Sequence, residues 1–280
     1  MSSPQVFLMT GCSTGLGREL ALAALNSGFR VIATARRVEK LAGLEERGAK
    51  ALALDVTWSV SALAAFAAEA IALYGQVDYL VNNAGYGAGG AIEEVSADEL
   101  LAQFNTNVFG LINTTNAFLP HFRARKSGTL VNFSSEASCI ATPGAGAYGA
   151  SKAAVNAISD TWAKELAEYN IRSICILPSA FRTDFFNNAG SVLPATRIEG
   201  YQVAHGVMDY MVSPQFTENA PGDPVKAAER IIKVVTKPGE LLTRFAMGDD
   251  AYKNLKGFYE ERIEELEAQR ELTTGTNFDA

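Results

Sequence analysis

Cysteine and histidine are scarce in this chain of 280 residues. The three cysteines are Cys12, Cys139 and Cys175, an odd and sparse set that excludes a disulfide framework and is typical of a reducing compartment. No CxxC spacing occurs, and His121 and His205 lie far apart without ligand-like neighbours. We therefore expect no metal site, and we expect His205 to be a surface residue.

Long apolar runs and an excess of basic residues are also missing. No segment approaches the ~18 uninterrupted apolar residues of a membrane span, and the run 6–9 near the N-terminus is too short for a signal peptide. The formal net charge is -7, which disfavours nucleic acid as a partner. The sequence predicts a soluble, cytoplasmic protein without a membrane span.

Apolar and helical segments alternate along the chain. Hydrophobic residues make up 48% of the sequence and charged residues 20%, enough for a large core. Buried strands are predicted at 5–10, 30–35, 49–56, 77–85, 128–135, 171–178 and 241–248. Helices are predicted at 18–28, 41–48, 59–74, 97–123, 147–169, 223–236 and 249–272. This order favours one α/β domain over 1–280, a doubly wound parallel sheet of about seven strands (a Rossmann fold) with helices on both faces.

One stretch, 183–222, interrupts the alternation and is rich in Phe, Tyr, Val and Met. Insertions of this length outside a sheet usually serve function. We interpret 183–222 as a lid over the substrate crevice, the alternative being that its aromatic residues belong to the core.

A glycine-rich turn, TGCSTGLG, occupies 10–17 between the first strand and the first helix. Glycines at 11, 15 and 17 permit a tight turn and let backbone N–H groups approach a pyrophosphate at the positive end of the helix. A plain turn is the alternative interpretation, but the strand before it and the helix after it favour a dinucleotide site.

The end of the second strand bears on the choice between NAD and NADP. NAD-preferring folds usually carry Asp or Glu there, to bind the ribose 2′-hydroxyl. This chain has Arg36 and Arg37 instead, and guanidinium groups favour a 2′-phosphate. We predict NADP(H), with Arg36 as the main contact and Arg37 as a second candidate; the alternative is that both are surface charges opening a helix.

Tyr148 and Lys152 stand four residues apart on a predicted helix and so share a face. An ammonium beside a phenol stabilises the phenolate, and we expect Lys152 to lower the pKa of Tyr148 from ~10. A tyrosine tuned in this way can exchange a proton with a carbonyl or alcohol oxygen.

Further polar residues are expected near this pair. Ser135 ends the fifth strand, NNAG at 82–85 ends the fourth, and Asn107 lies on the long helix. The carboxyl ends of parallel strands share one crevice, where ligands bind. Ser134 would replace Ser135 only if the strand register differed by one residue, which turns a side chain to the other face.

Together these motifs resemble the short-chain dehydrogenase/reductase family. They are TGCSTGLG, NNAG, NTNVFG, VNFSS and YGASK, in this order and at these spacings. The resemblance covers about residues 5–185 strongly and extends more loosely to 248. ATARR and GCSTGLG are similar to the NADP-using branch that includes the steroid and retinol dehydrogenases.

The resemblance implies a role for each matching position. Tyr148 is the general acid/base, Lys152 lowers its pKa and binds the nicotinamide ribose, Ser135 bonds the substrate oxygen, and Asn107 holds a water linking Lys152 to solvent. Asp55 and Val56 meet the adenine; Asn83, Ala84 and Gly85 form the floor beneath the cofactor; Pro178 and Thr183 hold the carboxamide. The implied cofactor-binding set is Gly11, Ser13, Thr14, Gly15, Leu16, Gly17, Arg36, Arg37, Asp55, Val56, Asn83, Ala84, Gly85, Tyr148, Lys152, Pro178 and Thr183. Family members form dimers and tetramers through helices like those at 97–123 and 147–169, so a homodimer or homotetramer is expected.

Two departures from the family pattern bear on the site. Ser179 follows the proline of the sixth strand, where the family usually has glycine. Its side chain is expected either to narrow the nicotinamide site or to tilt toward solvent. Ser138 stands where glycine is frequent, and with Glu136 and Cys139 it is a candidate for substrate contact.

Three functions compete. The first is an NADP(H)-dependent oxidoreductase that interconverts a hydrophobic ketone or aldehyde, such as a steroid, retinoid or lipid, and its alcohol. The second is a catalytically silent NADP(H)-binding sensor or scaffold, which the intact catalytic residues disfavour. The third is an epimerase or dehydratase, which usually has a longer sugar-nucleotide domain than the roughly 40 residues available here.

Overall fold

Parallel strands build the centre of the molecule in the computed structural model, which describes residues 4–186 and 191–278. Within those residues the main sheet has seven strands in the order β3-β2-β1-β4-β6-β7-β9, and a separate pair joins β5 and β8. The strands are β1 Val6–Met9, β2 Arg30–Ala35, β3 Lys50–Ala53, β4 Tyr79–Asn82, β5 Gly87–Ala88, β6 Gly128–Phe133, β7 Ile171–Pro178, β8 Ser191–Val192 and β9 Arg244–Met247. The predicted parallel sheet is confirmed, and its order reverses between β1 and β4, where a ligand crevice is expected.

Helices cover both faces of this sheet. They are α1 Gly15–Asn26, α2 Ala42–Glu45, α3 Val60–Ala72, α4 Ala97–Phe104, α5 Leu111–Arg125, α6 Gly146–Glu165, α7 Gln202–Met211, α8 Pro214–Asn219, α9 Pro224–Val235, α10 Asp249–Ala268 and α11 Arg270–Thr273. Among the described residues, no helix combines the length and hydropathy needed to cross a bilayer.

The two faces of the sheet bury separate hydrophobic clusters. Phe7 and Met9 of β1 pack in a cluster with residues of α1 and α9, whereas Val6 and Leu8 pack in a cluster with residues of α3, α5 and α6. Successive side chains of a strand point to opposite faces, so an uninterrupted apolar run fills both cores. The uninterrupted apolar run of β1 therefore explains why this strand lies inside the sheet rather than at its edge.

Two predicted elements are shorter or more divided than the sequence suggested. The strand predicted at 77–85 ends at Asn82, because the next two backbone N–H groups donate to the Thr10 hydroxyl instead of the sheet. The single helix predicted at 97–123 is interrupted by a π-helical turn, Asn105–Gly110, between α4 and α5. Such turns often mark functional sites, and this one contains Asn107.

The insertion predicted as a lid, 183–222, leaves the sheet and returns to nearly the same point. Phe181 and Gly222 form an isolated bridge, and the Arg182 N–H donates to the Gly222 carbonyl at 3.0 Å. In its described part the segment contains β8, α7 and α8, and β8 pairs in parallel with β5. The insertion is thus anchored to the region that follows β4.

Candidate active site

The glycine turn forms the tight cradle that the sequence predicts. Gly11 and Gly15 have φ values of +71° and +59°, a region that favours glycine. A Cβ on Gly17 would collide with the Gly11 carbonyl oxygen and the Asn83 amide. Thr14, at the N-cap of α1, makes no side-chain capping bond. The first N–H groups of α1 therefore remain available to an anion, which fits the pyrophosphate of a dinucleotide.

Asn83 and Thr10 hold this turn in place from the neighbouring strand. The Asn83 amide donates to the carbonyl oxygens of Thr10 and Gly11 at 2.9 and 3.0 Å. The buried Thr10 hydroxyl accepts from the N–H groups of Asn83 and Ala84. Sequence reasoning missed Thr10, since nothing in its local pattern separates it from an ordinary strand residue.

The other residues of the turn differ in exposure. Ser13 is half-buried, Thr14 is exposed, and Leu16 packs against the hydrophobic cluster below α1. Cys12 is buried, donates to the Met9 carbonyl, and burial raises the pKa of its thiol to about 12. Cys12 is accordingly a packing residue with a protonated thiol.

The ends of β2 and β3 present the residues predicted for the adenosine half of the cofactor. Arg36 and Arg37 are both exposed, and neither guanidinium group forms an ion pair or hydrogen bond with any residue that the structure describes. The Asp55 carboxylate accepts bonds from the N–H and hydroxyl of Thr57 at 2.9 and 2.7 Å. Val56 is buried against Gly110 of the π-helical turn. Both guanidinium groups are thus free to meet a phosphate.

Tyr148, Ser135 and Lys152 meet at the carboxyl end of β6. Tyr148 is half-buried on the first turn of α6, and its phenol lies near the Ser135 hydroxyl, which favours the phenolate. The Lys152 Nζ lies 5.8 Å from the centroid of the Tyr148 ring and donates to the Phe133 carbonyl at 2.8 Å. The helical spacing of four residues and the end of β6 together produce this arrangement.

The expected lowering of the pKa of Tyr148 by Lys152 is wrong for this structure. Burial raises the pKa of Tyr148 to about 12, although the nearby Ser135 acts in the opposite direction. Burial also lowers the pKa of Lys152 to about 8. Desolvation disfavours both charged forms, and at 5.8 Å from the ring the ammonium does not outweigh it.

Ser134 and Ser135 point to different surroundings. The Ser134 hydroxyl donates to the Lys152 carbonyl at 2.9 Å inside the protein. The Ser135 hydroxyl accepts from the Ala137 N–H at 3.1 Å and lies near the Tyr148 phenol. The alternative register, with Ser134 at the site, therefore disagrees with the structure.

Asn107 is buried in the π-helical turn and braces the segment after β4. Its amide donates to the Tyr86 carbonyl at 2.9 Å and to the Ser151 hydroxyl at 3.1 Å, while its Oδ1 accepts from the Tyr86 N–H. A Cβ on Gly85 would lie 3.0 Å from Asn107 Oδ1 and 3.4 Å from Lys152 Nζ. Glycine at 85 thus allows three functional segments to approach one another.

The Ser179 side chain, in the segment after β7, adopts neither of the two predicted orientations. Its hydroxyl faces the Met247 carbonyl, and a Cβ on Gly248 would collide with it, so the side chain packs on the turn before α10. Pro178 ends β7, and the Thr183 side chain faces Gly15 at the start of α1. Thr183 therefore lies beside the glycine turn.

An open cavity, with about 340 Å³ of empty space when the adjoining solvent is included, lies beside Tyr148. Its walls come from the β5 region, the start of α6 and the insertion, and they are apolar apart from the phenol. The lining residues are Gly87, Ala88, Gly89, Ala145, Tyr148, Phe186, Leu193, Met208, Met211 and Val212. The five lining residues from Phe186 onward belong to the insertion, which therefore forms part of the cavity wall.

The remaining candidates for substrate contact lie elsewhere. Glu136 accepts a bond from Asn254 at 3.0 Å, and the Ser138 hydroxyl bonds the Ser135 carbonyl and the Asn156 amide. Neither these two residues nor Cys139 line the cavity. His205, expected at the surface, is only 19% exposed in its side chain and bonds Glu94.

Comparison with known proteins identifies the family. The model described as short chain dehydrogenase matches residues 5–192. The chain belongs to the short-chain dehydrogenase family, and it is an oxidoreductase of that family. A short-chain dehydrogenase structure from Streptomyces avermitilis is 38% identical, with a TM-score of 0.89 over 99% of this chain and 100% of the other.

Two further relatives have informative descriptions. A 3-ketodihydrosphingosine reductase from Bacteroides thetaiotaomicron is 36% identical over 185 residues, which is 66% of this chain and 67% of that protein. A structure of the closed form of serine dehydrogenase complexed with NADP+ is 26% identical, with a TM-score of 0.72 over 87% of this chain and 95% of the other.

Proposed function

We propose that this short-chain dehydrogenase is an NADP(H)-dependent oxidoreductase that interconverts a hydrophobic ketone or aldehyde and its alcohol. One observation carries the proposal: the Tyr148 phenol, with Ser135 beside it, is the polar side-chain group of an otherwise apolar cavity. A proton donor at the end of an apolar cavity suits the reduction of a carbonyl group attached to a hydrocarbon.

The cofactor assignment is supported by the cradle and the two arginines. The uncapped N-terminus of α1 suits a pyrophosphate, and the unpaired Arg36 and Arg37 suit a 2′-phosphate. The relative whose description names NADP+ agrees with this choice. When bound, the nicotinamide ring supplies the hydride for reduction or accepts it for oxidation.

Four side chains divide the remaining chemistry. Tyr148 gives a proton to the carbonyl oxygen during reduction and takes it back during oxidation. Ser135, which lies beside Tyr148, donates to the same oxygen. Lys152 carries a positive charge below pH 8 and is placed to bind the nicotinamide ribose, and Asn107 fixes the segment at Tyr86.

The substrate class is supported by the walls of the cavity. Leu193, Met208, Met211 and Val212 offer no hydrogen-bonding side chain, so a polar substrate would lose its water contacts without replacement. The relative described as a 3-ketodihydrosphingosine reductase is consistent with a ketone on a long hydrocarbon chain. A homodimer or homotetramer is part of the proposal, supported by the exposed Leu101 and Phe109 near the predicted helix interface.

The test is Tyr148→Phe, which keeps the ring and removes the proton. We expect turnover of 2-decanone with NADPH to fall by about 10²–10⁴-fold, while NADPH binding changes by less than about twofold. Tyr210→Phe is the matched control, because it removes a phenol from the lid and keeps the ring contact with Phe216. Retained turnover in Tyr148→Phe would place the proton donor elsewhere, and binding of NADPH without turnover by the wild type would favour the sensor.

A further inference from the structure

Glu94 is a buried carboxylate in the loop between β5 and α4, and it is not part of the catalytic group. Its side chain has 0% exposure. Its Oε2 accepts from the Ala91 N–H at 2.9 Å, and its Oε1 accepts from the Ile198 N–H at 2.6 Å and from His205 Nε2 at 2.5 Å. Two of these three donors belong to the insertion, so a side chain of the main body holds the lid.

These bonds keep Glu94 ionised. Burial opposes its charge, but the bonds from His205, Ile198 and Ala91 outweigh burial and lower the pKa of the carboxyl. A buried carboxylate that accepts three donors is held in one geometry, and removing it leaves those donors without partners. The contact is therefore more specific than the neighbouring exposed bond between Glu93 and Tyr201.

His205 is joined to the cavity by its position on α7. Met208 is one turn further along this helix, on the same side, and it lines the cavity together with Met211. A Cβ on Gly89 would collide with the Met208 sulfur, and a Cβ on Gly144 would lie 2.7 Å from Met208 Cγ and 2.9 Å from the Ala204 carbonyl. Helix α7 is packed directly on the cavity floor, so small changes in its position change the cavity.

We propose that Glu94 is a positioning residue: by binding Ile198 and His205 it fixes α7 over the cavity and sets the preference for long hydrophobic substrates. This inference rests on the proposed function, since it concerns the substrate of the same site. A short ketone occupies the end of the cavity near Tyr148 and has little contact with α7. A long ketone needs the walls that Met208 and Met211 provide.

The experiment compares 2-butanone and 2-decanone with NADPH in the full-length protein. We expect Glu94→Ala to raise KM for 2-decanone by about tenfold, and to change KM for 2-butanone and NADPH binding by less than about twofold. His205→Ala, which leaves the bonds to Ala91 and Ile198, should give a smaller rise in the same direction. His205→Gln retains a donor for Glu94 and should restore KM to near the wild-type value.

Asp209→Asn is the matched control on the same helix, because Asp209 pairs with Arg197 inside the lid. Hydrogen exchange of residues 198–212 gives a second readout that is independent of turnover. We expect faster exchange in Glu94→Ala and wild-type exchange in Asp209→Asn. Equal rises of KM for both ketones, or unchanged exchange at 198–212, would overturn the proposal. If the wild type reduces neither ketone, the proposed function fails, and the exchange measurement alone decides whether Glu94 fixes α7.

Discussion

Lys152 is predicted to lower the stability of the folded protein at neutral pH. Burial lowers its pKa from 10.5 to about 8, so the folded state holds the ammonium less readily than the unfolded chain does. One pKa unit corresponds to about 1.4 kcal/mol, so the charge costs about 3 kcal/mol of unfolding free energy. The full reduction in unfolding free energy is present below pH 8. It disappears as the pH rises from about 8 to 10.5, because in this range the unfolded state binds more protons than the folded state.

Replacing Lys152 by methionine tests this reasoning. Methionine fills similar space without a charge, but it loses the bond to the Phe133 carbonyl, a loss of about 1 kcal/mol. At pH 7 we therefore expect Lys152→Met to be more stable than the wild type by about 2 kcal/mol and to have lost turnover. At pH 10.5 we expect the wild type to be more stable than Lys152→Met by about 1 kcal/mol.

The assay is urea unfolding of both cofactor-free proteins between pH 7 and pH 10.5, followed by tryptophan fluorescence. Other titrating groups are common to both proteins and cancel in the difference. Lys164→Met, on the exposed side of the same helix, is the control and should show no such dependence on pH. If the difference in unfolding free energy between Lys152→Met and the wild type stays constant over this pH range, burial does not lower the pKa of Lys152.

Two further predictions concern the cofactor. Arg36→Ala should raise KM for NADPH by about tenfold or more and leave KM for NADH unchanged, because the lost guanidinium binds only the 2′-phosphate. A parallel measurement on Arg37→Ala shows which arginine contributes more to NADPH binding. Equal effects on KM for both cofactors would contradict the assignment. Gly17→Ala should lower stability by about 1–3 kcal/mol and weaken NADPH binding, since the added Cβ meets Gly11 and Asn83. Gly43→Ala on α2 has open space around it and is the control; wild-type NADPH binding by Gly17→Ala would show that the turn tolerates a side chain.

The sheet and the location of the site could be predicted because they follow from local patterns. Apolar runs such as 5–10 have to be buried on both faces, and the motifs at their carboxyl ends must then share an edge. The positions of Ser135, Tyr148 and Lys152 follow from that edge and from the helical period. The roles of these residues stay predictions until turnover is measured.

Other features depend on packing between segments that are distant in sequence. Glu94 and His205 are 111 residues apart, and neither local pattern indicates that they meet. The π-helical turn at Asn107 could not be predicted, because a single turn of 6 residues is too short to disturb the helical pattern of the segments on either side. The pKa of Tyr148 was mispredicted for a related reason: helical spacing indicates proximity to Lys152, but burial depends on the tertiary structure.

The proposed reaction is tested most directly by measuring how much alcohol forms for each NADPH that is consumed. NADPH consumption and 2-decanol formation would be followed together in the wild-type protein, with 2-decanone as substrate. We expect one alcohol formed for each NADPH oxidised, and faster turnover with NADPH than with NADH. Tight binding of NADPH with neither cofactor oxidation nor alcohol formation, across ketones and aldehydes of different chain length, would contradict it.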